Sequence, residues 1–121
     1  MAKGIFLNNV PLIQVGIAWG QAVQNSHFIL DTGFTGDLQV SDKIAVDLGL
    51  QITGVENVRI ANGSVIRVPT ALAVTFIDGI VRVVTVLISN GALLAGIGFF
   101  SKFGFKAIVD CKFKTVELLN A

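Results

Sequence analysis

Phe28-Ile29-Leu30-Asp31-Thr32-Gly33-Phe34-Thr35-Gly36-Asp37 is the stretch on which the reading of this chain turns: an apolar run ends on a carboxylate and opens into a glycine-rich turn. A strand that delivers an acid into such a turn presents it at a fixed point. Asp and Gly are also ordinary turn residues, so Asp31-Thr32-Gly33 taken alone is compatible with a strand that simply stops. The surroundings separate the two readings.

Upstream, Leu12 to Leu30 reads as two strands joined near Trp19-Gly20-Gln21, with Val15, Ile17 and Trp19 alternating along one side. Downstream, Leu38-Gln39-Val40 is a short strand, Ser41 is placed to cap a helix over Asp42 to Leu48, and Gly49 is placed to stop it. From Val55 to Ile77 two strand patterns flank Asn62-Gly63, a pair whose tolerance of positive φ predicts a tight hairpin turn. Asp78-Gly79 repeats the device before the strand Ile80 to Ile88, which Asn90-Gly91 ends. Leu93-Leu94-Ala95 then leads to Gly96, a short helix around Phe99 to Phe103, and a last hairpin through Ala107-Ile108-Val109 and Val116-Glu117-Leu118. The expected architecture is mainly β with one or two short helices. Apolar strand, glycine turn and short helix occur around Leu30 to Leu48 and again around Leu93 to Phe103, which fits a loosely duplicated domain better than a solenoid.

Composition sets the bounds. The 121 residues make one domain, with a core of its own but too short for a two-lobed enzyme with an internal cleft. Any cleft between equal halves needs a second chain. Hydrophobic residues make up 53% and charged residues 14%, which excludes disorder and predicts a sticky surface covered by self-association. The longest apolar stretch, Ala92 to Phe100, is interrupted by Gly96 and Gly98 and is too short to span a bilayer, so no membrane partner is expected. The start, Met1-Ala2-Lys3-Gly4-Ile5, lacks the pattern of a secretory signal, and the single Cys111 allows no intrachain disulfide; both point to the cytoplasm. One His and one Cys far apart give no metal-site signature. The net charge of +1 gives no reason to invoke nucleic acid, and Lys102, Lys106, Lys112 and Lys114 read as solvated strand ends. His27 reads as a sheet-face residue, Cys111 as an inert strand-end or buried thiol, and Trp19 as core or interface packing. Asp37, Asp42 and Asp47 read as turn, first-turn and helix-surface acids.

At Ile29-Leu30-Asp31-Thr32-Gly33-Phe34-Thr35-Gly36 the chain resembles the retropepsin-like aspartic proteases, most closely their small bacterial relatives. The segment Asp47-Leu48-Gly49-Leu50, the hairpin Ala61-Asn62-Gly63-Ser64, and Leu94-Ala95-Gly96-Ile97 follow in matching order, so the resemblance covers nearly all of residues 1–121. It implies a closed, retropepsin-like β-barrel that dimerises about a twofold axis and hydrolyses an extended peptide or protein substrate without a cofactor. Asp31 matches the catalytic acid; Thr32 would brace the paired loops across the dimer, Gly33 would admit the substrate backbone, and Thr35 would support the carboxylate loop. Ala61, Asn62, Gly63 and Ser64 would form the flap, and Leu94, Ala95 and Gly96 the second-half glycine turn. Thr35 and Ile97 stand where retroviral enzymes carry an ion-paired acid and arginine, which points away from the viral branch. Ala95 and Gly98 stand where bacterial relatives often carry Leu and a larger or polar residue, which implies a looser second-half turn. The alternative that the resemblance leaves open is a catalytically silent dimerisation or peptide-binding module.

Overall fold

A computed structural model describes residues 1–120. Ten strands and two helices follow in the order β1 (Ala2–Leu7), β2 (Val10–Trp19), β3 (Ala22–Leu30), β4 (Leu38–Val40), α1 (Asp42–Leu48), β5 (Ile52–Arg59), β6 (Val65–Ile77), β7 (Ile80–Ile88), β8 (Leu94–Ala95), α2 (Ile97–Phe103), β9 (Phe105–Asp110) and β10 (Thr115–Asn120). The chain is therefore mainly β.

Turn chemistry sets the hairpins. Trp19 faces Ala22 across Gly20, whose φ is 58°, and Ile77 faces Ile80 across Asp78 and Gly79, with φ values of 53° and 77°. In the Asp78-Gly79 turn, positive φ at both central residues is the type I′ geometry that matches the twist of the flanking strands, whereas in the Gly20-Gln21 turn only Gly20 has positive φ. Asn8, at φ 56°, turns β1 into β2, a first hairpin that the sequence pattern did not announce. The hairpin expected at Asn62-Gly63 forms, with a three-residue loop. The Ile60 N–H bonds the Ser64 carbonyl and the Gly63 N–H bonds the Ile60 carbonyl, so the loop holds Ala61, Asn62 and Gly63. Only Gly63, at φ 86°, is left-handed. Asn62 acts through its side chain instead: its Oδ1 accepts from the Ser64 N–H at 2.9 Å and from the Ser64 hydroxyl at 2.6 Å.

The strands run β5-β6-β7-β4-β8-β3-β2-β1-β10-β9, and β6 also pairs with β2. That extra pairing closes β2, β3, β8, β4, β7 and β6 into a ring of six. At the closure Gly16 faces Phe76, and a side chain at Gly16 would run into the Phe76 ring. Val15, Ile17, Phe28, Val84 and Val86 are fully buried in the core, joined by Phe99 from α2. Each such side chain contributes roughly 1.5–3 kcal/mol through removal from water.

Both helices are seven residues long and end in left-handed glycines, Gly49 at φ 69° and Gly104 at φ 67°. Ser41 caps α1, accepting from the Ile44 N–H, and Ala45 and Leu48 are its buried face. In α2, Phe99, Phe100 and Phe103 are buried, with the Phe99 and Phe103 ring centroids 4.6 Å apart. The helix begins at Ile97 rather than near Phe99, because its first turn is anchored by the preceding glycine turn.

Candidate active site

β3 ends at Leu30, where it runs parallel to β8, with Leu30 opposite Ala95. This pairing carries Asp31 to the point where the two glycine turns meet. The Asp31 N–H donates to the Ala95 carbonyl at 3.0 Å, and the Phe34 N–H closes the turn onto the Asp31 carbonyl at 3.2 Å. The Asp31 side chain is half-buried, and its Oδ1 accepts the Gly33 N–H at 2.9 Å. One carboxylate oxygen is thus held by the turn, while Oδ2 has no partner among the described residues.

The second turn is locked into the first by three backbone bonds. Gly96 N–H donates to the Asp37 carbonyl at 2.9 Å, Ile97 N–H to the Phe34 carbonyl at 2.9 Å, and Gly98 N–H to the Gly36 carbonyl at 3.1 Å. A Cβ at Gly96 would strike the Gly36 and Phe34 carbonyls, and one at Gly98 would strike the Asp37 carboxylate. The expectation of a looser second-half turn is therefore corrected: Ala95 is fully buried, and Gly98 is small because the neighbouring turn occupies the space its side chain would need.

Asp37 is the residue that sequence reasoning missed. It lies in the turn as read but is only 8% exposed, with Oδ2 accepting from the Thr85 N–H at 2.9 Å and pairing with the Lys102 ammonium. Burying a carboxylate is costly unless it is paired and hydrogen-bonded, and Asp37 has both compensations. Lys102 is correspondingly not a strand-end lysine; it lies in the last turn of α2 and ties that helix to the first glycine turn. The partners of this ion pair meet only through the fold.

A cleft of about 430 Å³ opens beside the acid turn, lined by Gly33, Phe34, Thr35 and Gly36 on one side and by Glu56 to Arg59 of β5 on the other. The hairpin tip Ala61 to Ser64 is exposed and does not line this cleft. Thr32 and Thr35 are exposed, and neither hydroxyl makes a hydrogen bond among the described residues, so the bracing of the loop falls to Asp37 and the backbone. On the opposite flank of the turn, Leu30, Thr32, Ile97, Phe100, Phe105 and Ala107 border an apolar groove of about 370 Å³.

The other singled-out residues are peripheral. His27 is exposed on β3, Trp19 is half-buried, and Cys111 is an exposed free thiol in the β9–β10 turn rather than a buried one. Asp42 lies in the first turn of α1, and Asp47 on its surface accepts from Lys43 at 2.7 Å. Among the described residues no group of three or more His, Cys, Asp or Glu side chains is placed to hold a metal ion, and no helix is long and apolar enough to cross a membrane. Compared with protein-family models and with curated proteins, the chain matches none.

Proposed function

We propose that this chain is an aspartic endopeptidase of the retropepsin-like kind, working as a homodimer in which Asp31 of each subunit forms one half of a carboxyl dyad. The observation that carries the reading is the Asp31 side chain, fixed through Oδ1 by the Gly33 N–H while Oδ2 stays open at the rim of two interlocked glycine turns. Supporting it are the cleft between Gly33–Gly36 and β5, and a free hairpin tip at Ala61 to Ser64 that could fold over an extended chain.

The chemistry requires two such acids. Carboxyls held close together cannot both ionise cheaply, so the pair keeps one proton. The ionised member takes a proton from a water molecule, whose oxygen adds to the scissile carbonyl. The protonated member hydrogen-bonds the developing oxyanion, and proton transfer to nitrogen then releases the amine as the C–N bond breaks. Substrate would lie extended in the cleft, bound through its backbone with side chains entering pockets on alternate sides.

Asp31→Asn and Asp31→Ala test this directly. Either change should abolish cleavage of a peptide library by the purified dimer, and the parent protein's rate should fall on both the acid and alkaline sides of an optimum, because losing or doubling the shared proton stops the reaction. Cleavage that survives both substitutions refutes the dyad. Peptide binding without cleavage at any pH favours the silent module.

A further inference from the structure

β5 forms one wall of the cleft beside the acid turn, and one residue of that wall carries a charge turned inward. Glu56 lies opposite Val68 of β6, so the two side chains stand on the same face of the sheet, and Val68 is only 4% exposed. An acid on the inner face of a sheet is costly to cover unless a partner meets it. Glu56 is in no ion pair among the described residues, and it stays exposed because the space it faces is the cleft.

The residue borders two spaces at once. Besides the cleft of about 430 Å³ along Gly33–Gly36, Glu56 lines a smaller recess of about 210 Å³ bounded by Gly36, Asp37, Thr85, Leu87 and Lys102. Gly36, Glu56 and Leu87 belong to both, so the recess adjoins the cleft as a side pocket. Its charges do not balance. Asp37 and Lys102 neutralise each other in their ion pair, which leaves the Glu56 carboxylate as the net charge of the lining. Arg59, the other charge on the cleft wall, falls on the opposite face of β5 by strand alternation, and its Nη1 donates to the Gly63 carbonyl at 3.0 Å, toward the hairpin tip. A lysine or arginine side chain suits such a recess, with its methylene stem against Leu87 and its cationic head on the carboxylate. An acidic side chain would meet like charge.

We infer that Glu56 determines specificity in this cleft, selecting an extended peptide that places a lysine or arginine side chain in the recess between β5 and the Asp37–Lys102 pair. This rests on the reading of the chain as a peptidase centred on Asp31, and the experiment separates the two. Glu56 acts on binding and takes no part in bond cleavage, so its effect falls on KM and leaves kcat in place.

Cleavage of a peptide library by the parent protein, Glu56→Gln and Glu56→Lys supplies the test, with Asp47→Asn, which removes a carboxylate from the surface of α1, as the control. The parent should favour Lys or Arg at one position of the cleaved sequences. On a peptide of that kind Glu56→Gln should lower kcat/KM about tenfold through KM, the loss of one charge-assisted contact, and the difference should shrink as salt is raised. Glu56→Lys should turn the preference at that position toward Asp or Glu, and Asp47→Asn should leave it unmoved. The same library is bound to Asp31→Asn and to Asp31→Asn with Glu56→Gln, so that selection is also read without turnover. A parent that cleaves with no basic preference, or with one that survives both Glu56 changes, overturns the role of Glu56 and leaves the peptidase reading standing; the inward charge then only guards the sheet edge. A parent that cleaves nothing overturns the peptidase reading, and the binding arm still decides on the recess. Enrichment of basic peptides that disappears with Glu56→Gln upholds it in a silent module, whereas peptides bound without that enrichment, or none bound at all, overturn both.

Discussion

The two strand–turn–helix units, around Leu30 to Leu48 and Leu93 to Phe103, share a plan and divide the work unequally. Each ends a strand in a glycine turn and closes a seven-residue helix on a left-handed glycine. Only the first carries the candidate acid: Asp31 stands at its turn, Asp37 braces it, and Ser41 caps its helix. The second contributes backbone and space. Its helix starts at Gly96 with no capping side chain, because any Cβ there would hit the first turn. An approximate repeat can thus specialise, with one copy holding reactive groups and the other kept small so that the two interlock.

That division predicts an order of costs. Gly96→Ala should be the most damaging, since its methyl group meets two fixed carbonyls rather than a movable side chain. A loss of about 3 kcal/mol in urea denaturation, or failure to fold, is expected. Tolerance of that change would break the idea that the second turn is defined by space.

Asp37→Ala comes next. It leaves the Thr85 N–H without its acceptor and frees Lys102; because Lys102 is partly exposed, the ion-pair share is discounted, and about 2 kcal/mol is expected. Lys102→Met, which leaves the Thr85 bond in place, should cost less than Asp37→Ala; the reverse order would show that the ion pair rather than the hydrogen bond anchors the turn. Ser41→Ala should cost about 1 kcal/mol, the usual value of a helix N-cap. Asp31→Asn should change stability by less than about 0.5 kcal/mol, since the amide oxygen can still accept from Gly33. A larger stability change would make Asp31 a structural acid and remove the contrast between the units.

Much of this architecture was legible from local chemistry. Gly20, Asp78-Gly79 and the Ser41 to Gly49 helix each carry their own signal within a few residues, and each forms as read. β1 was not read, because the pattern of Ala2 to Leu7 includes Gly4 and its turn is Asn8-Asn9 rather than a strong hairpin pair. The hairpin at Asn62-Gly63 was legible but its loop was not, because Asn can satisfy a turn either through positive φ or through its side chain, and residue type does not distinguish them. At the candidate site, the carboxylate and its turn were visible as a string, whereas the brace at Asp37 depends on Thr85 and Lys102, which only the folded chain brings near. One signal was present: Gly98 follows Gly96 where a short helix begins, and paired small residues at such a place mark a close neighbour.

The bond from Asp31 to Ala95, with those from Gly96 and Gly98 back to the first turn, joins segments made at very different moments of translation. A nascent chain that has not yet exposed Gly98 outside the ribosome has the acid but nothing to set it against, and contacts so distant in sequence form late in any case. The setting of the acid is therefore completed only once both turns have been made, a timing that topology alone imposes.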